Sequence, residues 1–173
     1  MESFIMAISY SSLAASVPNW QLVTSATPSG VSTVTFSGLA GYSRYRILAP
    51  NLVPSGSASL QLRINADSGA KYNYGTIGNN NGYMGSLVST LDTFYTAYAS
   101  GASTATSQQI DIENALLLAP KFITSTFNAS VSSQWLAFNG FGNYITTSAL
   151  TSITLLMSAN NFSTGTIYLL GAN

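Results

Sequence analysis

A two-residue alternation of apolar and polar side chains recurs along most of the chain. In "SASLQLRINA" (57–66), Leu60, Leu62, Ile64 and Ala66 are expected on one face, with polar residues between them. Period two is the pattern of a half-buried β-strand, because successive side chains of a strand point to opposite faces. Similar runs, each bounded by turn residues, occur at 20–26, 31–37, 46–53, 109–115, 121–130, 133–140, 150–159 and 164–171. The spacing predicts roughly eight to ten strands, no long helix, and an all-β antiparallel sandwich or jelly roll.

Three local patterns refine this prediction. The turn signal "TPSG" between 20–26 and 31–37 predicts that these two runs form a hairpin. Pro50 interrupts the run 46–53, so that strand is expected at a sheet edge or broken at the proline. The apolar spacing of 84–98 also fits a helix, but its Thr, Val, Tyr and Phe residues favour a strand near 91–99, with a helical turn before it as an alternative.

The chain is short enough for one domain, which we assign to residues 20–173. Residues 1–19 are expected to form an N-terminal arm or docking segment. The stretch "MESFIMAISYSSLAAS" lacks the basic start of a secretion signal and carries Glu2, and serines break its apolar run. No apolar run reaches the roughly 18 residues needed to cross a bilayer, so no membrane partner is expected.

The surface is expected to be polar but almost uncharged. Charged residues make up 6% of the chain, whereas Ser, Thr and Asn supply 59 of 173 residues. No basic stripe is present, so nucleic acid is not an expected partner. The absence of cysteine and histidine excludes thiolate metal sites and the Ser-His-Asp triad, and no cofactor is predicted. So little charge indicates that much of the surface meets another protein.

The stretch "RINADSGAKYNYG" (63–75) concentrates charge and aromatic residues, and it could be a binding site, a catalytic loop or a turn. The Asp67 carboxylate can accept hydrogen bonds from the N–H of Ser68 or Gly69, and Gly69 permits a positive φ. Arg63 lies about 13 Å from Asp67 along an extended strand, so the two pair only if the turn folds back or a neighbouring chain supplies the partner. We interpret the stretch as a strand-ending turn that Tyr72 anchors.

Two other carboxylate arrangements could carry chemistry. Asp111 and Glu113 share a strand face with Cβ atoms about 7 Å apart, close to the separation in glycosidases; the alternative is a solvated strand face. Asp67 with the asparagines at 79–81 could hold calcium, but only one of these residues is a carboxylate and the EF-hand spacing is absent.

Aromatic residues offer a sugar-binding alternative. Trp20, Trp135 and ten tyrosines could stack on sugars while Asn, Ser and Thr supply hydrogen bonds. The competing interpretation is that the tryptophans pack in the core and the tyrosines pack at an interface.

Three segments together resemble a family of virion structural proteins of tailed phages, whose members are tail-fibre, head-fibre or capsid-decoration components. They are "WQLVTSATPSGVSTVTFSGLAGYSRYRIL" (20–48), "LQLRINADSGAKYNYG" (60–75) and "ALTSITLLMSANNFSTGTIYLLGAN" (149–173). The matching positions are Trp20, Phe36, Gly38, Leu39, Tyr42, Arg63, Asn65, Asp67, Ser68, Gly69, Tyr72, Gly165, Ile167, Leu169 and Gly171.

The resemblance implies a jelly-roll-like β-sandwich in an oligomer, by analogy a homotrimer, with no enzyme activity and no catalytic residues. It implies location in the virion and contact with other virion proteins such as the major capsid protein. The short length favours a capsid-surface decoration, cement or head-fibre protein. The alternative is a tail-fibre module that recognises host surface glycans.

Overall fold

All regular secondary structure in the described part of the chain is β-strand. The structure is a computed structural model that describes residues 18–79, 87–99, 104–131 and 134–173. The strands within these ranges are β1 (Gln21–Ala26), β2 (Thr33–Ser37), β3 (Arg44–Pro54), β4 (Ala58–Ile64), β5 (Tyr72–Asn79), β6 (Leu87–Leu91), β7 (Phe94–Ala99), β8 (Thr106–Ile112), β9 (Lys121–Val131), β10 (Gln134–Tyr144), β11 (Ser152–Met157), β12 (Phe162–Thr164) and β13 (Ile167–Ala172).

The strands form two antiparallel sheets. The large sheet has the order β1-β13-β3-β8-β9-β10-β5-β6, with β12 paired to β3, and the small sheet has the order β2-β11-β4-β7. The strands β1-β13-β3-β8 of the large sheet and the four strands of the small sheet make a set of eight. When these eight strands are numbered from 1 to 8 in chain order, the two sheets have the orders 1-8-3-6 and 2-7-4-5. This is the strand order of a jelly roll, so the predicted all-β, jelly-roll-like sandwich is confirmed.

Two insertions widen the large sheet beyond the jelly roll. The pair β5–β6 is inserted between β4 and β7, and the pair β9–β10 is inserted between β8 and β11. The insertions join because β10 pairs with both β9 and β5. We call these four strands the wing. Strand β7, the last of the small sheet, packs against β9 and β10, so the wing covers that edge of the sandwich.

The core lies between the sheets and is built from the alternating positions of their strands. Leu62 and Ile64 of β4 and Ile110 and Ile112 of β8 are fully buried. Burying an aliphatic side chain of this size stabilises the fold by about 1.5–3 kcal/mol. The alternation predicted for β4 ends at Ile64, because Ala66 is exposed in the turn that follows.

The predicted hairpin between 20–26 and 31–37 is wrong. Strand β1 pairs with β13 in the large sheet, whereas β2 pairs with β11 in the small sheet. The intervening turn carries the chain from one sheet to the other. The N–H of Gly30, at φ 69°, donates to the carbonyl of Phe162, and the N–H of Phe162 donates to Val31. A distant segment therefore takes the hydrogen bonds that a local hairpin would have formed.

The prediction that Pro50 marks a sheet edge is also wrong, and the alternative of a break there is met only as a bulge within a continuous strand. Strand β3 runs through the proline and lies between β13 and β8. A bulge between Ala49 and Leu52 removes this position from the ladder, with Asn51 at φ 55°. A proline is tolerated there because its missing N–H interrupts no ladder hydrogen bond.

The strand predicted near 91–99 is confirmed by β7. The alternative helical turn before it is contradicted over residues 87–91, which form β6, while 80–86 lie outside the described residues. The predicted N-terminal arm lies outside the described residues except at positions 18 and 19.

On the side of the sandwich opposite the wing, β1 and β2 end their sheets, and no other described strand pairs with their outer edges. We define the open side as β1, Val31 and β2. Five of the six residues of β1 are exposed, among them Leu22 at 61%, and Val31 is exposed at 46%. No charged residue occurs between positions 18 and 43. The edge therefore presents apolar and hydroxyl side chains without the charges that often protect edge strands.

Candidate functional sites

The turn after β4 is tight and left-handed. Asn65 and Ala66 have φ of 57° and 55°, and the N–H of Asp67 donates to the carbonyl of Ile64 at 3.0 Å. These values are those of a type I′ turn. The predicted positive φ at Gly69 is wrong, because the turn is completed two residues earlier.

The Asp67 carboxylate accepts one local and one distant hydrogen bond. The N–H of Gly69 donates to Oδ1 at 2.8 Å, and the hydroxyl of Tyr144 donates to Oδ2 at 2.8 Å. The bond from Gly69, followed by that from Tyr144, lowers the pKa of Asp67 below its ordinary value of 3.8. A Cβ at position 69 would lie 3.1 Å from Oδ1, so glycine lets the carboxylate approach.

Tyr72 anchors the same turn from inside the core. Its hydroxyl accepts the N–H of Ile64 at 2.8 Å and lies 3.3 Å from the carbonyl oxygens of Ile64 and Asp67. Its ring stacks on that of Tyr144 with centroids 5.0 Å apart. Burial raises the pKa of Tyr72 well above its ordinary value of 10.0. The anchoring role expected for Tyr72 thus has a defined geometry.

Asn65 ties the turn to the loop between β10 and β11. Its Oδ1 accepts the N–H of Thr151 at 2.7 Å, and its Nδ2 donates to the carbonyl of Ala149 at 2.9 Å. We call Asn65, Asp67, Tyr72 and Tyr144 the Asp67 corner. It joins the end of β4 to the start of β5, the end of β10 and the start of β11.

Of the other charged residues, Lys71 acts on this corner, where its charge also lowers the pKa of Asp67. Arg63 pairs with Asp92 at 2.9 Å rather than with Asp67. Ser68 is exposed. Of the asparagines predicted to bind calcium with Asp67, Asn80 and Asn81 lie outside the described residues, and the backbone of Asn79 lies at the far end of β5, about 23 Å along the strand from Tyr72. In the ranges that the structure describes, no group of three acidic side chains could hold a metal ion. The geometry of the corner is that of a structural bracket.

Asp111 and Glu113 are drawn into two ion pairs with strand β3. Asp111 takes a bidentate contact from Arg46, at 2.6 and 2.9 Å, and Glu113 lies 2.7 Å from Nε of Arg44. Trp20 lies over Arg46, 4.4 Å from guanidinium carbon to ring centroid. The two carboxylates thus brace neighbouring strands. The side chain of Trp135, the other predicted sugar-stacking residue, is outside the described part.

Lys121 is a buried cation that the sequence pattern did not single out. It is fully buried, and its Nζ donates to the carbonyl oxygens of Leu117 at 2.6 Å and Ala119 at 2.5 Å. Burial lowers its pKa below the ordinary value of 10.5. One feature of the sequence indicates this burial: Lys121 lies two residues before Ile123, so both side chains point to the inner face of β9. Lys121 holds the loop between β8 and β9 closed.

A groove of about 350 Å³ crosses the outer face of the large sheet. We call it the outer groove, and its lining residues are Leu48, Pro50, Ser107, Gln108, Gln109, Thr126 and Asn128. They come from β3, β8 and β9, which are adjacent in the sheet. The bulge at positions 49–52 leaves Pro50 exposed as one wall. The sequence did not reveal this groove, because β3 is far from β8 and β9 along the chain.

No helix in the described ranges could span a membrane. No match to this chain was found among family models, curated proteins or solved structures. The resemblance to phage virion proteins therefore stays a prediction.

Proposed function

We propose that this chain is a non-enzymatic structural protein of a phage particle, which decorates or cements the capsid surface by packing against copies of itself and against capsid proteins. One observation carries the proposal, namely the open side. An uncharged edge strand that exposes Leu22 and Val23 is suited to burial against protein, since interface cores are depleted in charge.

The distribution of charge supports the same role. Three ion pairs, Arg44–Glu113, Arg46–Asp111 and Arg63–Asp92, use six of the nine charged residues in the described part. Apart from the exposed Lys71 and the partly exposed Asp67, the surface left over in the described part is hydroxyl, amide and apolar. Burying such a surface against another protein costs less desolvation free energy than burying charged groups, provided that its hydroxyl and amide groups find hydrogen-bond partners there.

The fold is compatible with this proposal, since jelly rolls build many capsid and lectin domains, although fold alone does not assign function. The threefold assembly that the resemblance implies belongs to the proposal as well. Mass spectrometry of purified particles tests whether the chain is a component of the virion. We expect the chain at a fixed copy number relative to the major capsid protein. Its absence from mature particles would overturn the proposal, and its presence on tails alone would favour the tail-fibre alternative.

A further inference from the structure

The outer groove and the tyrosine beside it form a surface that no part of the proposed structural role uses. We propose that this surface binds a neutral oligosaccharide. The inference goes beyond the structural role, because it applies wherever on a particle the protein is placed.

Hydrogen-bonding side chains converge on the groove from two paired strands. Ser107 lies opposite Asn128, and Gln109 lies opposite Thr126, in the register of β8 and β9. No side-chain hydrogen bond links Ser107 or Asn128 to another described residue. Gln109 donates through Nε2 to Asp111 at 3.0 Å, which fixes its amide and leaves its carbonyl oxygen for a ligand. An amide and a hydroxyl offer both donors and acceptors, as sugar hydroxyls require.

Apolar groups lie next to these polar ones. Leu48 and Pro50 line the groove from β3. Tyr168 of β13 lies opposite Leu48 on the same face, with Cβ atoms about 5 Å apart, and its side chain is 38% exposed. A sugar ring has a C–H face that packs on aliphatic and aromatic side chains while its hydroxyls point sideways. Binding sites for small ligands combine these two kinds of group.

The charge around the groove favours a neutral sugar over an acidic one. The seven lining residues carry no charge. The nearest cation, Arg46, is held in a bidentate pair with Asp111 and lies under Trp20. A uronate, sialate or phosphate would therefore meet no available cation in the groove.

The position of the groove favours a sugar over a peptide. Strands β3, β8 and β9 are each paired on both sides, so no free strand edge is available for β-augmentation. Contacts must come from side chains alone. The groove spans two strand spacings, about 10 Å, which suits a short stretch of a glycan chain.

Isothermal titration of the full chain with neutral gluco-, galacto- and manno-oligosaccharides tests the proposal, with sialyllactose, an oligogalacturonate and an extended peptide as comparison ligands. We expect at least one neutral oligosaccharide to bind. Asn128→Ala and Tyr168→Ala should each weaken that binding about tenfold or more. Phe122→Ala is the matched control, because this exposed aromatic lies on the same face outside the groove, and it should leave affinity unchanged.

Three outcomes would overturn the proposal: no neutral oligosaccharide binds, only an acidic sugar or the peptide binds, or Asn128→Ala and Tyr168→Ala both bind like the unaltered chain. Ser107→Ala serves as a second groove variant should one of the others fold poorly. None of these results bears on the presence of the chain in purified particles, so failure of this inference is distinguishable from failure of the structural role.

Discussion

The hydroxyl of Tyr144 donates a 2.8 Å hydrogen bond to the carboxylate of Asp67 across 77 positions of sequence. This bond joins the end of β10, in the wing, to the turn that follows β4, in the jelly roll. The charged stretch 63–75 is therefore a bracket between the two parts of the fold.

Removing the Asp67 carboxylate should destabilise the fold. Asp67→Ala loses the bonds from Gly69 and Tyr144, and we expect the free energy of unfolding to fall by about 2 kcal/mol, roughly 1 kcal/mol for each bond. Urea denaturation at pH 7 measures the change. Asp92→Ala is the control, because its exposed ion pair with Arg63 should contribute under about 1 kcal/mol. If the two substitutions lowered the free energy of unfolding equally, the role of Asp67 in joining the two parts of the fold would be contradicted.

Acid should weaken the fold through the same residue. The pKa of Asp67 is lower in the folded chain than in the unfolded chain, so the unfolded chain binds more protons between the two values. This contribution is complete above about pH 5 and is lost as the pH falls through the folded pKa, below 3.8. Unfolding free energies measured from pH 6 to pH 2 should decline less steeply in Asp67→Asn. An identical decline in both proteins would show that Asp67 does not cause the loss of stability in acid.

Alkaline pH should weaken the fold through the buried tyrosines. Burial raises the pKa values of Tyr45, Tyr72 and Tyr144, so the stability they contribute is complete below pH 10 and is lost as the pH rises through their folded values. Tyr72→Phe should reduce this loss. It should also lower stability at pH 7 by about 1–3 kcal/mol, because the buried N–H of Ile64 loses its acceptor. Thermal melting with Tyr168→Phe as control checks both effects.

Gly142 should not tolerate a side chain. A Cβ at this position of β10 would overlap the carbonyl oxygen of Asn73 and lie 2.8 Å from the Cα of Tyr74, both in the backbone of β5. Gly142→Ala should therefore disturb the pairing of β5 with β10, which joins the two insertions, and lower the free energy of unfolding by about 1–3 kcal/mol. Compared with the unaltered chain, amide hydrogen exchange in Gly142→Ala should become faster in β5 and β10 and change less in β4. Unchanged exchange in β5 would contradict the close approach.

A charge on the open side should prevent assembly. Val23→Lys places an ammonium on the exposed edge strand β1, where burial against protein would desolvate it. We expect the unaltered chain to be oligomeric and Val23→Lys to be monomeric by light scattering. Ile77→Lys, at an exposed apolar position of the wing, should stay oligomeric. An unaltered chain that is monomeric at tens of micromolar would count against self-association through this side.

Local chemistry was readable from the sequence, whereas partners distant in sequence were not. The alternation of Leu60, Leu62 and Ile64 predicted β4, and the proximity of Asp67 and Gly69 predicted their hydrogen bond. Neither Tyr144 as the second partner of Asp67 nor Asp92 as the partner of Arg63 follows from spacing, because the order of strands in the sheets sets both contacts.

The errors have the same origin. "TPSG" has the composition of a hairpin turn, but Phe162 takes the hydrogen bonds of Gly30 and Val31 and sends the chain to the other sheet. Pro50 is unsuitable for a central strand unless a bulge removes it from the ladder, and a bulge is invisible in composition. The outer groove needs three strands to meet, so the sequence could not reveal it.

Cryo-electron microscopy of purified particles tests the central claim most directly. The account predicts density for this jelly roll on the capsid surface, with β1 and β2 buried against a neighbouring copy or a capsid protein. Particles in which the chain is absent, or in which its open side faces solvent at every copy, would contradict the account.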